Sequence, residues 1–173
     1  MATDIVNVGI FIDADTIIST QGGNTGNPVF VNNSANTIYM VSQKANEISG
    51  HGAAELNVKM HPNQDIRWRA STLTFGGQYT VNLYAISVTQ GESLLDRVEP
   101  ARSSEMIAEI NPNDIQNPNV LEANLGYWSA TAYKEGNVTY NFYFQIMKPH
   151  ADGTLETVGR FYWDPYIDIS WDN

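Results

Sequence analysis

The cleanest alternation of apolar and polar positions runs through Val138, Tyr140, Phe142, Phe144 and Ile146, and a period of two marks a strand with one buried face. Val6, Val8, Ile10 and Ile12 repeat it near the start, with Asn7 and Gly9 on the other face. The same reading predicts strands over 38–41, 79–88, 106–110, 127–133, 155–163 and 166–171. Aromatic and β-branched residues crowd both parities of 79–88, which predicts a strand buried on both faces. Two hairpins are expected. In the first, Ala54, Leu56 and Val58 alternate with Glu55, Asn57 and Lys59, turn through 61–65, and continue as Ile66 and Trp68 between Arg67 and Arg69. That register buries Trp68, because its two neighbours take the opposite face. The second joins 127–133 to 138–146 through Lys134-Glu135-Gly136-Asn137.

Breaks in the pattern are equally informative. Residues 21–28 are so rich in Gly, Asn and Pro that they predict a long surface loop, and Pro112 and Pro118 pin a second one over 111–119. A helical turn starting near Ser93 is cut short by Pro100. Asp164-Pro165 ends the aromatic run Phe161-Tyr162-Trp163, because proline brings no ladder donor. Short strands at close spacing without a sustained helical stripe predict an all-β fold. The expected architecture is an antiparallel two-sheet β-sandwich, jelly-roll-like, forming a single domain over 1–173.

Charge and composition narrow the partners. Nineteen Asp and Glu against nine Lys and Arg give a net charge of −10, which disfavours nucleic acid and anionic membrane surfaces as partners. The acidic residues are scattered, as a soluble surface requires. Cysteine is absent, so disulfides and thiolate chemistry are excluded. No apolar segment is long enough to span a bilayer, and Met1-Ala2-Thr3-Asp4 lacks the basic start of a leader, so a cytoplasmic protein is expected. Asn32-Asn33-Ser34 and Asn137-Val138-Thr139 fit the glycosylation pattern by coincidence on that reading.

Candidate chemistry is sparse. His51, His61 and His150 sit in predicted loops, and no two stand at ligand spacing, so no metal or other cofactor is assigned. Asp13 and Asp15 leave the first predicted strand on one side and offer calcium a pair of oxygens, though solvated carboxylates look the same in sequence. Glu55, Glu105, Glu109 and Glu156 could supply the carboxylate pair of a β-scaffold glycoside hydrolase, but sequence does not show proximity. No serine lies in a nucleophile-elbow context. The four Trp, nine Tyr and six Phe carry a better argument, because aromatic faces stack on sugars and also form subunit contacts. Asn124, Tyr127 and Trp128 are the ligand-binding candidates, placed where the Asn/Pro-rich loop is expected to enter a strand.

Ser49-Gly50-His51-Gly52-Ala53-Ala54-Glu55-Leu56-Asn57, Asp65-Ile66-Arg67-Trp68-Arg69 and Gly159-Arg160-Phe161-Tyr162-Trp163-Asp164-Pro165 resemble, in this order, blocks of the AidA/PixA family of bacterial inclusion body proteins. Tyr39-Met40-Val41 and 138–146 extend the resemblance over nearly the whole chain from Asp4 onward. It departs at Asp13-Ala14-Asp15-Thr16-Ile17, where the family's second acidic-threonine block is disturbed by Ala14. The resemblance implies a non-enzymatic protein made late in growth under quorum-sensing control, which in some insect-associated bacteria accumulates as crystalline inclusions. It brings no catalytic residues. The expectation is therefore a self-associating homo-oligomer, most simply a dimer, with a role in host interaction. A lectin that binds a glycan is the alternative, and a hydrolase ranks below both.

Overall fold

A computed structural model describes residues 5–74 and 76–171. Residues 1–4, read above for a leader, lie outside the described residues. Twelve strands and one α-helix are present among the described residues. In chain order they are β1 (Ile5–Ile12), α1 (Ala14–Gln21), β2 (Val29–Phe30), β3 (Ile38–Ser42), β4 (Glu47–Ser49), β5 (Asn57–Met60), β6 (Asp65–Thr72), β7 (Thr80–Gln90), β8 (Glu99–Glu109), β9 (Asn119–Thr131), β10 (Gly136–Pro149), β11 (Leu155–Trp163) and β12 (Tyr166–Ile169).

The all-β expectation holds, with two sheets around one core. The first runs β3-β1-β6-β9-β8. The second runs β2-β11-β10-β12-β5-β4, and β7 pairs with the remaining edge of β10. Neither sheet is purely antiparallel: β1 pairs β6, β11 pairs β2, and β12 pairs β5 in parallel. The antiparallel expectation is corrected accordingly, and these parallel pairs are no part of the jelly-roll pattern expected from the sequence.

Both predicted hairpins are corrected as well. β5 lies in the seven-stranded sheet beside β12 and β4, whereas β6 lies in the five-stranded sheet between β1 and β9. Residues 61–64 form a corner between sheets, with Asn63 in the left-handed region at φ 72°. β9 and β10 likewise part company across residues 132–135. Alternation is the same whether a strand folds back beside its predecessor or crosses to the facing sheet, so the local pattern does not distinguish the two. β7 is half-covered rather than buried on both faces, with Ile86 its one buried residue.

The centre of the molecule is where the two sheets touch most specifically. Val6, Val8, Ile10, Ile12, Ile66 and Trp68 project from the first sheet into Val138, Tyr140, Phe142, Phe144 and Phe161 of the second. Trp68 is fully buried, as its flanking arginines predicted. Its Nε1 donates to the Tyr140 hydroxyl at 3.0 Å, so both polar atoms of this aromatic pair are satisfied. Two of the sequence blocks that carry the family resemblance meet nearby. Trp163 Nε1 donates to the Ala54 carbonyl at 3.0 Å, and Gly50 sits at φ 79° where a Cβ would collide with the Glu55 carbonyl. These blocks are therefore sheet corners held by backbone geometry.

Candidate assembly and ligand surfaces

β8 pairs with β9 over the whole length of β8, from Glu99↔Ser129 to Glu109↔Asn119, and the far half of this hairpin extends beyond the cover of the second sheet. Met106, Ile107, Ile110, Ile115, Val120 and Leu121 are all exposed along it, Met106 at 71% and Ile115 at 79%. Met106 and Ile107 are adjacent, so both faces of the arm carry apolar side chains. β8 is also the edge of its sheet. Pro100 guards the base of that edge, where a missing N–H is tolerated, but the stretch from Met106 to Glu109 has no proline. The sequence reading found the strand at 106–110 and took 111–119 for loop. The first half of β9 is not read as strand there, and Val120-Leu121, an apolar pair directly after the Pro-rich 111–119, is the available signal.

The base of the same hairpin has two different faces. On the outer face, the Arg67 guanidinium lies over the Tyr127 ring, its Cζ 4.7 Å from the ring centre. Beside it, Arg69 Nη2 donates to Glu105 Oε1 at 2.9 Å, and Ser103 Oγ donates to the same oxygen at 2.9 Å. These bonds hold the Glu105 carboxyl below the usual carboxylate range. Together with Asn7 and Gly9 they line a cleft of about 330 Å³. On the inner face, Trp128 reaches across to the second sheet and donates its Nε1–H to the Leu83 carbonyl at 3.0 Å. Pro100, Arg102 and Gly126 continue that face beside Val81 and Leu83, lining a groove of about 570 Å³.

The three ligand-binding candidates lie within β9, not at a loop entrance. Alternation sends Tyr127 outward to Arg67, while Trp128 and Asn124 share the inner face, so the three side chains do not converge. A tighter aromatic group occurs on the outer face of the second sheet. There Tyr84, Tyr143, Tyr162 and Phe30 form a row with ring centres 6.2, 5.6 and 5.4 Å apart. Tyr143 and Tyr162 stack on one another, as cross-strand partners do.

The acid–base candidates are dispersed. Asp13 caps α1, accepting from the Thr16 backbone N–H at 3.0 Å and its hydroxyl at 2.7 Å. Asp15 instead accepts from Thr74 Oγ1 at 2.7 Å. Residues 13–17, expected as a strand end, are thus a helix start, because an eight-residue helix carries too short an apolar stripe to stand apart from strand punctuation. His51 lies 3.6 Å from Glu47, His61 Nδ1 lies 2.7 Å from the Ser170 carbonyl, and His150 pairs with Glu156 at 3.1 Å. Among the described residues no three His, Cys, Asp or Glu side chains gather as a metal site would require. Burial and the facing Asp164 raise the pKa of Glu55, while Glu105 is tied to Arg69 and Glu156 to His150.

The profile of the family described as PixA, inclusion body protein, matches residues 4–169. The chain belongs to the PixA family of inclusion body proteins. A crystal structure of an inclusion body protein (PixA) from Burkholderia cenocepacia J2315 superposes with a TM-score of 0.78 over 98% of each chain, at 12% identity, so the family fold is shared. A cysteine protease inhibitor from Entamoeba histolytica also aligns, at 15% identity over 66% of this chain and 86% of that one, with a TM-score of only 0.30. No curated protein matches. The blocks of this sequence that carry the resemblance, around Gly50, Trp68 and Trp163, are the corners and core described above. No helix among the described residues is long and apolar enough to cross a membrane.

Proposed function

We propose that this chain is a non-enzymatic protein that works by self-association into a homo-oligomer and, at high concentration, into ordered inclusions in the cytoplasm. The observation that carries this reading is the β8–β9 arm, an uncovered sheet edge with apolar side chains on both faces. An edge strand of this kind is satisfied by another strand running antiparallel to it, and a two-fold axis supplies that strand from a second copy. Exposed apolar groups clustered on one projection mark an interaction surface. The net charge of −10 opposes indiscriminate contact, which leaves the arm as the place where attraction exceeds repulsion. A role in host interaction fits the same assembly, since a multivalent particle presents many copies of its surface at once.

Light scattering across a dilution series tests the reading. The wild-type chain is expected to show a dimer or larger mass that falls on dilution. Replacing Ile110, Ile115 and Val120 together by serine removes apolar surface without adding charge, and is expected to leave a monomer with an unchanged melting temperature. A monomer mass for the wild type at the highest soluble concentration would end this reading.

A further inference from the structure

We propose that the outer-face cleft at the base of the hairpin binds a small organic acid rich in hydroxyl groups, a uronic acid being the type, with Arg67 as its carboxylate anchor. Arg67 stands at the centre of a sheet, paired on one side with Asn7 of β1 and on the other with Ser129 of β9, so its backbone is fixed. Its guanidinium lies over the Tyr127 ring, the Cζ 4.7 Å from the ring centre. Yet the Nε of Arg67 is buried with no acceptor among the described residues. A buried donor left unmet is unfavourable and calls for an explanation, a bound anion beside the guanidinium being one.

The neighbouring charges sharpen the chemistry. Arg69 is matched by Glu105, and Ser103 supports the same carboxylate, so that pair is internally neutral. Among the described residues no carboxylate is bonded to Arg67, which leaves one positive charge in the cleft of a strongly acidic chain. A guanidinium fork held over an aromatic ring suits a planar carboxylate through two parallel bonds, whereas an ammonium group would offer only a point charge. Glu105 and the Asn7 amide stand beside it as partners for hydroxyl groups. Gly9 lines the cleft and brings no side chain into it. The volume of about 330 Å³ admits one sugar-sized molecule, at the lower end of small-molecule sites.

Titration of the full chain with sodium glucuronate, with glucose and inorganic phosphate in parallel, tests this by following the arginine Nε–H resonances in nitrogen-15 NMR. The expected result is a saturable shift of the Arg67 Nε–H with glucuronate, complete by about 10 mM. Glucose is expected to leave it unmoved, and phosphate to bind more weakly. Arg67→Lys is expected to weaken glucuronate binding at least about tenfold while keeping the melting temperature, because it retains the charge and loses the fork. Should that variant not fold, Tyr127→Leu serves, with the wild-type Arg67 resonance as the primary readout. No shift of Arg67 with glucuronate, tighter binding of phosphate, or equal binding by Arg67→Lys would overturn the proposal.

Discussion

β9 is one continuous strand whose two ends have opposite surroundings. At its C-terminal end Trp128 and Ala130 pair with Trp68 and Ile66 of β6 and turn inward onto the second sheet. Toward its N-terminal end Val120 and Leu121 pair with Ala108 and Ile107 of β8 and meet no facing sheet. Trp128 is paired on both edges, with Trp68 of β6 and Pro100 of β8, whereas Val120 and Leu121 are paired with β8 alone. The larger difference lies in what covers the side chains, since burial of apolar surface rather than the ladder itself drives folding. One end is a finished core, and the other leaves its apolar surface for a partner.

Substitutions at the two ends should therefore read out differently. Trp68→Ala is expected to cost about 3–5 kcal/mol through lost transfer energy and a cavity, whereas Met106→Ala stays within about 0.5 kcal/mol, both measured by denaturant unfolding. Equal effects would erase the distinction between core and arm. Tyr140→Phe should cost about 1–3 kcal/mol, because the buried Trp68 N–H loses its acceptor. Burial raises the Tyr140 phenol pKa well above its ordinary value, with the Trp68 bond a smaller opposing effect. The unfolded phenol ionises near about pH 10 while the folded one stays neutral, so stability is intact below that pH and falls above it. Melting curves between pH 9 and 11, at roughly the phenol range, should show this slope in the wild type and a shallower one in Tyr140→Phe.

The smallest effect is expected at the junction between the two regions. Hydrogen bonds from Arg69 and Ser103 hold Glu105 low, so its contribution is present above the ordinary glutamate pKa of about 4.3 and is lost as pH falls through the lower folded value. Glu105→Gln should slightly flatten the acid limb of the melting-temperature profile and leave neutral pH nearly unchanged, as an exposed pair implies. A large loss at neutral pH would show that the hairpin base belongs to the core.

The core was legible in the sequence because alternation is a local property. Val6 to Ile12, Val138 to Ile146 and Trp68 between its arginines were all placed on the correct faces. Sheet membership was not legible, because the corners at 61–64 and 132–135 carry the same turn residues as hairpins. The parallel partners of β1, β11 and β12 are set by packing between distant segments. The candidate surface was half legible. Tyr127 and Trp128 do line the two clefts, but their contacts with Arg67 and Leu83 depend on neighbours 60 and 45 residues away or about that far, which no spacing rule reaches. The arm escaped notice because exposed apolar residues have no period of their own.

Hydrogen exchange measured at low and high protein concentration tests the central claim most directly, because it reports which amides a second copy covers. The account predicts that protection rises with concentration along Glu99–Glu109 and the facing half of Asn119–Thr131, and that β1, β6 and β10 do not change. Protection that rises on the outer face of the seven-stranded sheet, or nowhere, would contradict it.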